Sequence, residues 1–228
     1  MKLLTTPDHQ PKAAKGIAAG YAQFTLHLSP GDLSGQQMCA GATPACLEGC
    51  LHGAGRGAME TTKLARLRRT HWLIDNPATF LDALRWDVDA GVRWAERRGL
   101  IPTYRLNGTS DRRWENDGII EEYPELQFHD YTKLPNRRGL PANYYLTFSR
   151  AETATNHADV ATALRSGQSV AIVFNTPKED ALPASFEGTE VIDGRLHDCR
   201  FLDPLGVYVG LSALGPAKKD TSGWVVAV

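Results

Sequence analysis

Short apolar stretches alternate with longer stretches of helical spacing along most of the chain. Tyr21–Leu28 (YAQFTLHL) alternates apolar and polar side chains and predicts a strand. Residues 58–74 predict a helix, with Met59, Leu64, Leu67 and Trp72 as apolar points. Asn76-Pro77 ends it and opens a second helix, in which Phe80, Leu81, Leu84, Val88, Val92 and Ala95 recur at helical spacing until Gly99. Further strands are predicted at Thr103–Leu106, Leu126–His129, Asn143–Phe148 and Ser169–Phe174, with later ones near Cys199–Leu202 and Gly206–Leu211. Short helices are predicted at Trp114–Tyr123 and Asn156–Ser166.

Alternating strands and helices predict a parallel sheet with crossover helices. About six strands are counted, against the eight of a closed barrel. The expected fold is therefore α/β, a partial (open) β/α barrel of about six mainly parallel strands with outer helices. A doubly wound sheet is the alternative. Residues 1–20 lack apolar periodicity and are expected at the periphery, leaving one α/β domain over residues 21–228.

Between the first strand and the first long helix lies a Gly-, Pro- and Ser-rich loop, residues 29–57. A loop of that length without its own regular structure is usually functional or disordered. Within it, residues 35–57 carry three of the four cysteines, Cys39, Cys46 and Cys50, spaced C-x6-C-x3-C. Thiolates are soft ligands that suit zinc and iron–sulfur clusters. Structural zinc commonly uses C-x2-C pairs, and none is present. His52 would complete a Cys3His set, though at a tight spacing. Three thiolates from one loop suit a [4Fe–4S] cluster with one iron left open, and Cys39, Cys46 and Cys50 are its expected ligands.

The loop follows a strand, so it is expected at that strand's C-terminal end, beside the polar residues that end the other strands. These are Asn107, Gly108, Ser110 and Asp111 after the second strand, and Ser149, Arg150 and Glu152 after the fourth. They are candidate cofactor-binding residues. Their alternative roles are turn residues, helix caps and surface ion pairs. Asp130 and Lys133 end the third strand, and His197 and Asp198 are neighbours near the late strands; all four are further site candidates. The chain contains no P-loop and no nucleophile elbow.

Charge narrows the partners. There are 25 Lys+Arg and 26 Asp+Glu residues, a net charge of -1. No dominant attraction to nucleic acid follows. Basic clusters such as Arg66-Arg68-Arg69 read as solvated helix faces rather than a nucleic-acid surface. No run approaches the roughly 18 apolar residues of a membrane span. The N-terminus loses its apolar character after Leu4, so no secretion signal is expected.

The runs CAGATPACLEGCLHGAGRGAM, RLNGTSD, FHDYTKLPNRRG, YYLTFSRAE and HDCRFLDPLGVYVGL resemble the phage "gene product 88" family over most of residues 20–215. That family occurs in bacteriophages, in prophages and in some bacteria; the resemblance implies a bacteriophage protein in the host cytoplasm, and no defined chemistry. A looser likeness is to radical SAM enzymes, which place a three-cysteine cluster loop after the first strand of a partial β/α barrel. It implies S-adenosylmethionine as a second cofactor, with Asp111 toward its amino group and Arg150 and Glu152 toward its carboxylate and ribose. The cysteine spacing departs from the C-x3-C-x2-C of those enzymes, and Leu51 replaces the usual aromatic. Three readings follow: an iron–sulfur enzyme with radical SAM-like chemistry on an unknown substrate, a structural or redox-sensing cluster protein, and a zinc-stabilised nucleic-acid-binding module.

Overall fold

The computed structural model describes residues 2–228. The chain begins with strand β1 (Leu4–Thr5) and helix α1 (Pro11–Ile17), followed by β2 (Tyr21–Leu26). A short helix α2 (Pro44–Glu48) precedes the long pair α3 (Glu60–Asp75) and α4 (Pro77–Glu96). Then come β3 (Ile101–Arg105), β4 (Gln127–Thr132), β5 (Tyr144–Ser149), α5 (Ala154–Arg165) and β6 (Val170–Phe174). The last elements are β7 (Ser185–Phe186), β8 (Thr189–Asp193), β9 (Tyr208–Ser212) and β10 (Val225–Val226).

These strands form one ten-stranded, mostly parallel sheet in the order β1-β2-β3-β4-β5-β6-β9-β8-β7, with β10 also on β6. From β2 to β6 the order follows the sequence and never reverses. Over these five strands the sheet winds one way, without the reversal of a doubly wound sheet, and only beyond β6 does the order turn back, as β9-β8-β7. β2, β3, β4, β5, β6 and β9 run parallel, so their C-terminal ends share one edge.

Register and alternation divide the side chains between two faces. One is apolar. Phe24, Tyr104 and Phe128 stack along it, and Phe80, Leu84 and Val88 of α4 cover them. The Tyr104 hydroxyl donates to the Val88 carbonyl at 2.8 Å. Farther along, Val160 and Ala163 of α5 pack on Phe148, Ile172 and Phe174.

The opposite face is polar across β2–β5. Gln23 pairs with Thr103 and Thr25 with Arg105. His129 pairs with Tyr145 and Tyr131 with Thr147. Barrel interiors are usually filled by branched apolar residues; over four strands this face holds only Ile101, exposed at the start of β3. Helix α1 and residues 197–203 cover it. Phe201 packs edge-on against His129 at 5.3 Å, and Lys12 meets Asp198 at 2.8 Å.

Three segments differ from expectation. The N-terminal stretch expected at the periphery carries β1 and α1, and Leu3 and Leu4 are buried in the core. The strand expected near Cys199–Leu202 is a single 3-10 turn, Arg200–Leu202, with Cys199 and Arg200 buried and Leu202 exposed. The helix expected at Trp114–Tyr123 shrinks to a 3-10 turn, Trp114–Asp117, ended by Gly118 in the left-handed region.

His129 makes the fold pH-sensitive. It is fully buried, and burial pushes its pKa down to about 3. The folded imidazole stays neutral while the unfolded one takes up a proton below its ordinary value. Its contribution to stability is therefore lost as pH falls from about 6.5 toward 3, by roughly 2 kcal/mol between pH 7 and 5. Asp130 and Asp203, pushed up by burial to about 7 and about 6, act in the opposite sense. The expected outcome is that His129→Asn loses less stability than the parent between pH 7 and pH 5, by roughly 2 kcal/mol. Urea denaturation at the two pH values measures it.

Candidate iron–sulfur loop at the strand ends

The cysteine loop lies across the C-terminal edge of the sheet. Cys39 extends that edge by one bridge, parallel to Asp111 just beyond β3. The Asp111 amide donates to the Met38 carbonyl at 2.9 Å. Gly108 sits where β2 and β3 end; a Cβ there would meet His27 Nδ1 at 2.5 Å and the Leu26 carbonyl at 2.6 Å. Only glycine allows that approach.

Cys46 stands on α2. Thr43 caps this helix and Pro44 opens it. The Glu152 carboxylate reaches from beyond β5 to accept from Thr43 Oγ1 at 2.7 Å and from the Ala45 amide at 3.4 Å. Cys50 caps the next turn, its sulfur accepting from the His52 amide at 3.4 Å. Cys39 Sγ likewise accepts from the Gly31 amide at 3.4 Å. Trp224 closes the loop from above: a Cβ on Gly49 would stand 2.4 Å from its ring.

The three thiols are partly buried and unpaired by disulfides. Burial pushes Cys39 up to about 11, and the nearby Cys50 and Cys46 raise it further. Burial raises Cys50 too, with Cys46 adding to it. A metal binding here would displace protons from these two sulfurs. Among the described residues, no three or more His, Cys, Asp or Glu side chains stand at distances that hold a single metal ion. A cavity of about 200 Å³, lined by Pro30, Gly31, Leu33, Leu47, Cys50 and His52, opens beside Cys50.

The other candidates are placed as follows. The Asn107 side chain accepts from the Ser110 hydroxyl at 2.8 Å and from the Trp114 indole at 3.1 Å. Asp111 accepts from the Lys133 amide at 2.8 Å. The Lys133 ammonium lies 6.0 Å from the Trp224 ring. Arg150 donates to the Gly223 carbonyl at 2.9 Å, and the Ser149 carbonyl accepts from Asn156 at 3.2 Å. Asp111, Lys133 and Glu152 thus stand at the cysteine loop, bonded to its supports. Asp130 faces away, accepting from the Asn107 amide and the Tyr144 hydroxyl. His197 contacts Arg200, and Asp198 lies in the covered polar face. Cys199 is buried against Gly16 of α1, far from the strand C-termini.

The residue missed in the sequence is Arg66. It belongs to a run of arginines read as solvated, yet it is only 6 % exposed. Its place on the same α3 stripe as Thr70 and Leu73 was the signal. Its Nη1 lies 3.2 Å from His52 Nδ1, and its Nε has no partner among the described residues. Burial lowers its pKa, and Cys50 is the group that favours its charge.

The family model described as "Gene product 88" matches residues 2–227. The chain belongs to this family. No curated protein and no solved structure matches, so the likeness to radical SAM enzymes gains no support from a relative. No helix of this gene product 88 protein is long and apolar enough to cross a membrane among the described residues.

The Glu152 contact gives a direct test. Removing the carboxylate leaves α2 without its charged cap. Glu152→Ala is expected to lower stability by roughly 1 kcal/mol and to speed proteolysis within residues 43–50. Thermal unfolding and limited proteolysis report the two effects.

Proposed function

We propose that this gene product 88 protein is a redox-active iron–sulfur protein, with a [4Fe–4S] cluster on Cys39, Cys46 and Cys50 at the mouth of an open β/α barrel. The sequential order of the parallel strands is the order such a barrel needs. Arg66 is the observation that carries the reading. A buried guanidinium forming no ion pair is costly unless a counter-charge sits beside it. Thiolates bound to iron beside Cys50 would supply that charge, whereas three neutral thiols do not.

A further feature agrees. Backbone amides of Gly31 and His52 already point at two of the sulfurs, and such hydrogen bonds tune cluster potentials. When bound, the cluster would supply one-electron chemistry. Arg66 would offset the negative charge gained on reduction, and the cavity at Cys50 would give access from solvent.

The redox reading is preferred over S-adenosylmethionine cleavage. Asn107, Ser110, Asp111, Arg150 and Glu152, the groups that would hold that cofactor, are bonded within the protein.

The test is iron and acid-labile sulfide analysis of the full chain prepared without oxygen. About four of each per chain are expected. Serine at Cys39, Cys46 or Cys50 should abolish the content, and Cys199→Ser should retain it. Arg66→Gln should keep the iron and move the reduction potential to more negative values. Zinc in place of iron, or full iron content in Cys50→Ser, defeats the proposal. Release of 5′-deoxyadenosine on adding S-adenosylmethionine would restore the enzymatic reading.

A further inference from the structure

The polar face of β2–β5 holds buried side chains that the cysteine loop does not use, and several of them lack partners. Gln23 Oε1, Thr103 Oγ1, Arg105 Nε, Thr147 Oγ1 and both ring nitrogens of His129 have no hydrogen-bond partner among the described residues. Gln23 is 2 % exposed, and Thr103, His129 and Thr147 are 0 % exposed. These groups come from four adjacent strands and point to one side. Buried polar groups in folded proteins are satisfied by protein, ordered water or a ligand.

Charge indicates which ligand. Lys12 and Arg105 both approach Asp198, at 2.8 and 2.6 Å, so two cations share one carboxylate. Burial opposes the Asp198 charge, but Lys12 and Arg105 outweigh it and hold Asp198 ionised. Asp130 lies 4.0 Å from Arg105 Nε on the other side, and burial leaves it only partly ionised near neutral pH. Arg200 is offset by Asp203 at 3.1 Å, so Lys12 and Arg105 stand against Asp198 and a partly ionised Asp130, which leaves a fraction of a positive charge on this face. The free groups include donors suited to an anion: the Arg105 Nε–H, the threonine hydroxyls and one N–H of the neutral His129 ring.

We propose that the polar face, closed by α1 and residues 197–203, binds one small oxygen anion, a carboxylate or a phosphate, against Arg105 and His129. Lys12 marks the way in: its partner Asp198 is 3 % exposed, whereas 37 % of the Lys12 side chain is accessible. Arg105 also lies over the Tyr131 ring at 4.7 Å, which fixes its plane for a forked contact.

Calorimetry and thermal melts of the full chain with inorganic phosphate, malonate, ribose and matched sodium chloride decide it. One saturable site is expected for phosphate or malonate, with melting raised by roughly 5–10 °C at a hundredfold excess over Kd. Preference between the two separates phosphate from carboxylate ligands. Thr103→Val and Lys12→Gln should each weaken binding tenfold or more, and Cys50→Ser should leave it unchanged. Should Thr103→Val not fold, Lys12→Gln carries the comparison. The proposal is overturned if neither anion saturates, if ribose binds instead, or if Lys12→Gln binds as the parent does.

Discussion

The carboxylate of Asp198 ties the molecule together. It is 3 % exposed and meets Lys12 from α1, Gln23 from β2, Arg105 from β3 and Tyr131 from β4. Residues 197–203 thereby fasten the first helix to three successive strands. A buried ion network is costly to leave incomplete, so loss of one partner is felt by the others. The apolar face needs no such device, since α4 and α5 bury it by ordinary packing.

This division explains what could be read from sequence. Phe24, Tyr104 and Phe128 lie in alternating strands, and Phe80, Leu84 and Val88 repeat at helical spacing, so the sheet, its parallel sense and its outer helices were legible. The cover on the other face was not. Lys12, Asp198 and Arg200 look like surface residues, because periodicity records apolar burial and is blind to charges buried in pairs. The two-residue strands β1, β7 and β10 are too short to show alternation.

At the strand ends the spacing of Cys39, Cys46 and Cys50 marked the loop at once. Its supports were harder to see. Glu152, expected at a cofactor, caps the helix that carries Cys46. Asp111, expected likewise, fixes Lys133 beside the bridge that holds Cys39. Both residues shape the loop through contacts distant in sequence, which no local pattern records. Arg66 was hidden among neighbours of the same charge, and only its stripe on α3 set it apart.

Trp224 lies against Gly49, while β10 joins β6 beside the end of β5. The sulfur-bearing loop therefore emerges from the ribosome long before the indole that shelters it. Until the last strand docks, that loop lacks its cover on the Gly49 side, so its final packing waits on the C-terminal end of the chain.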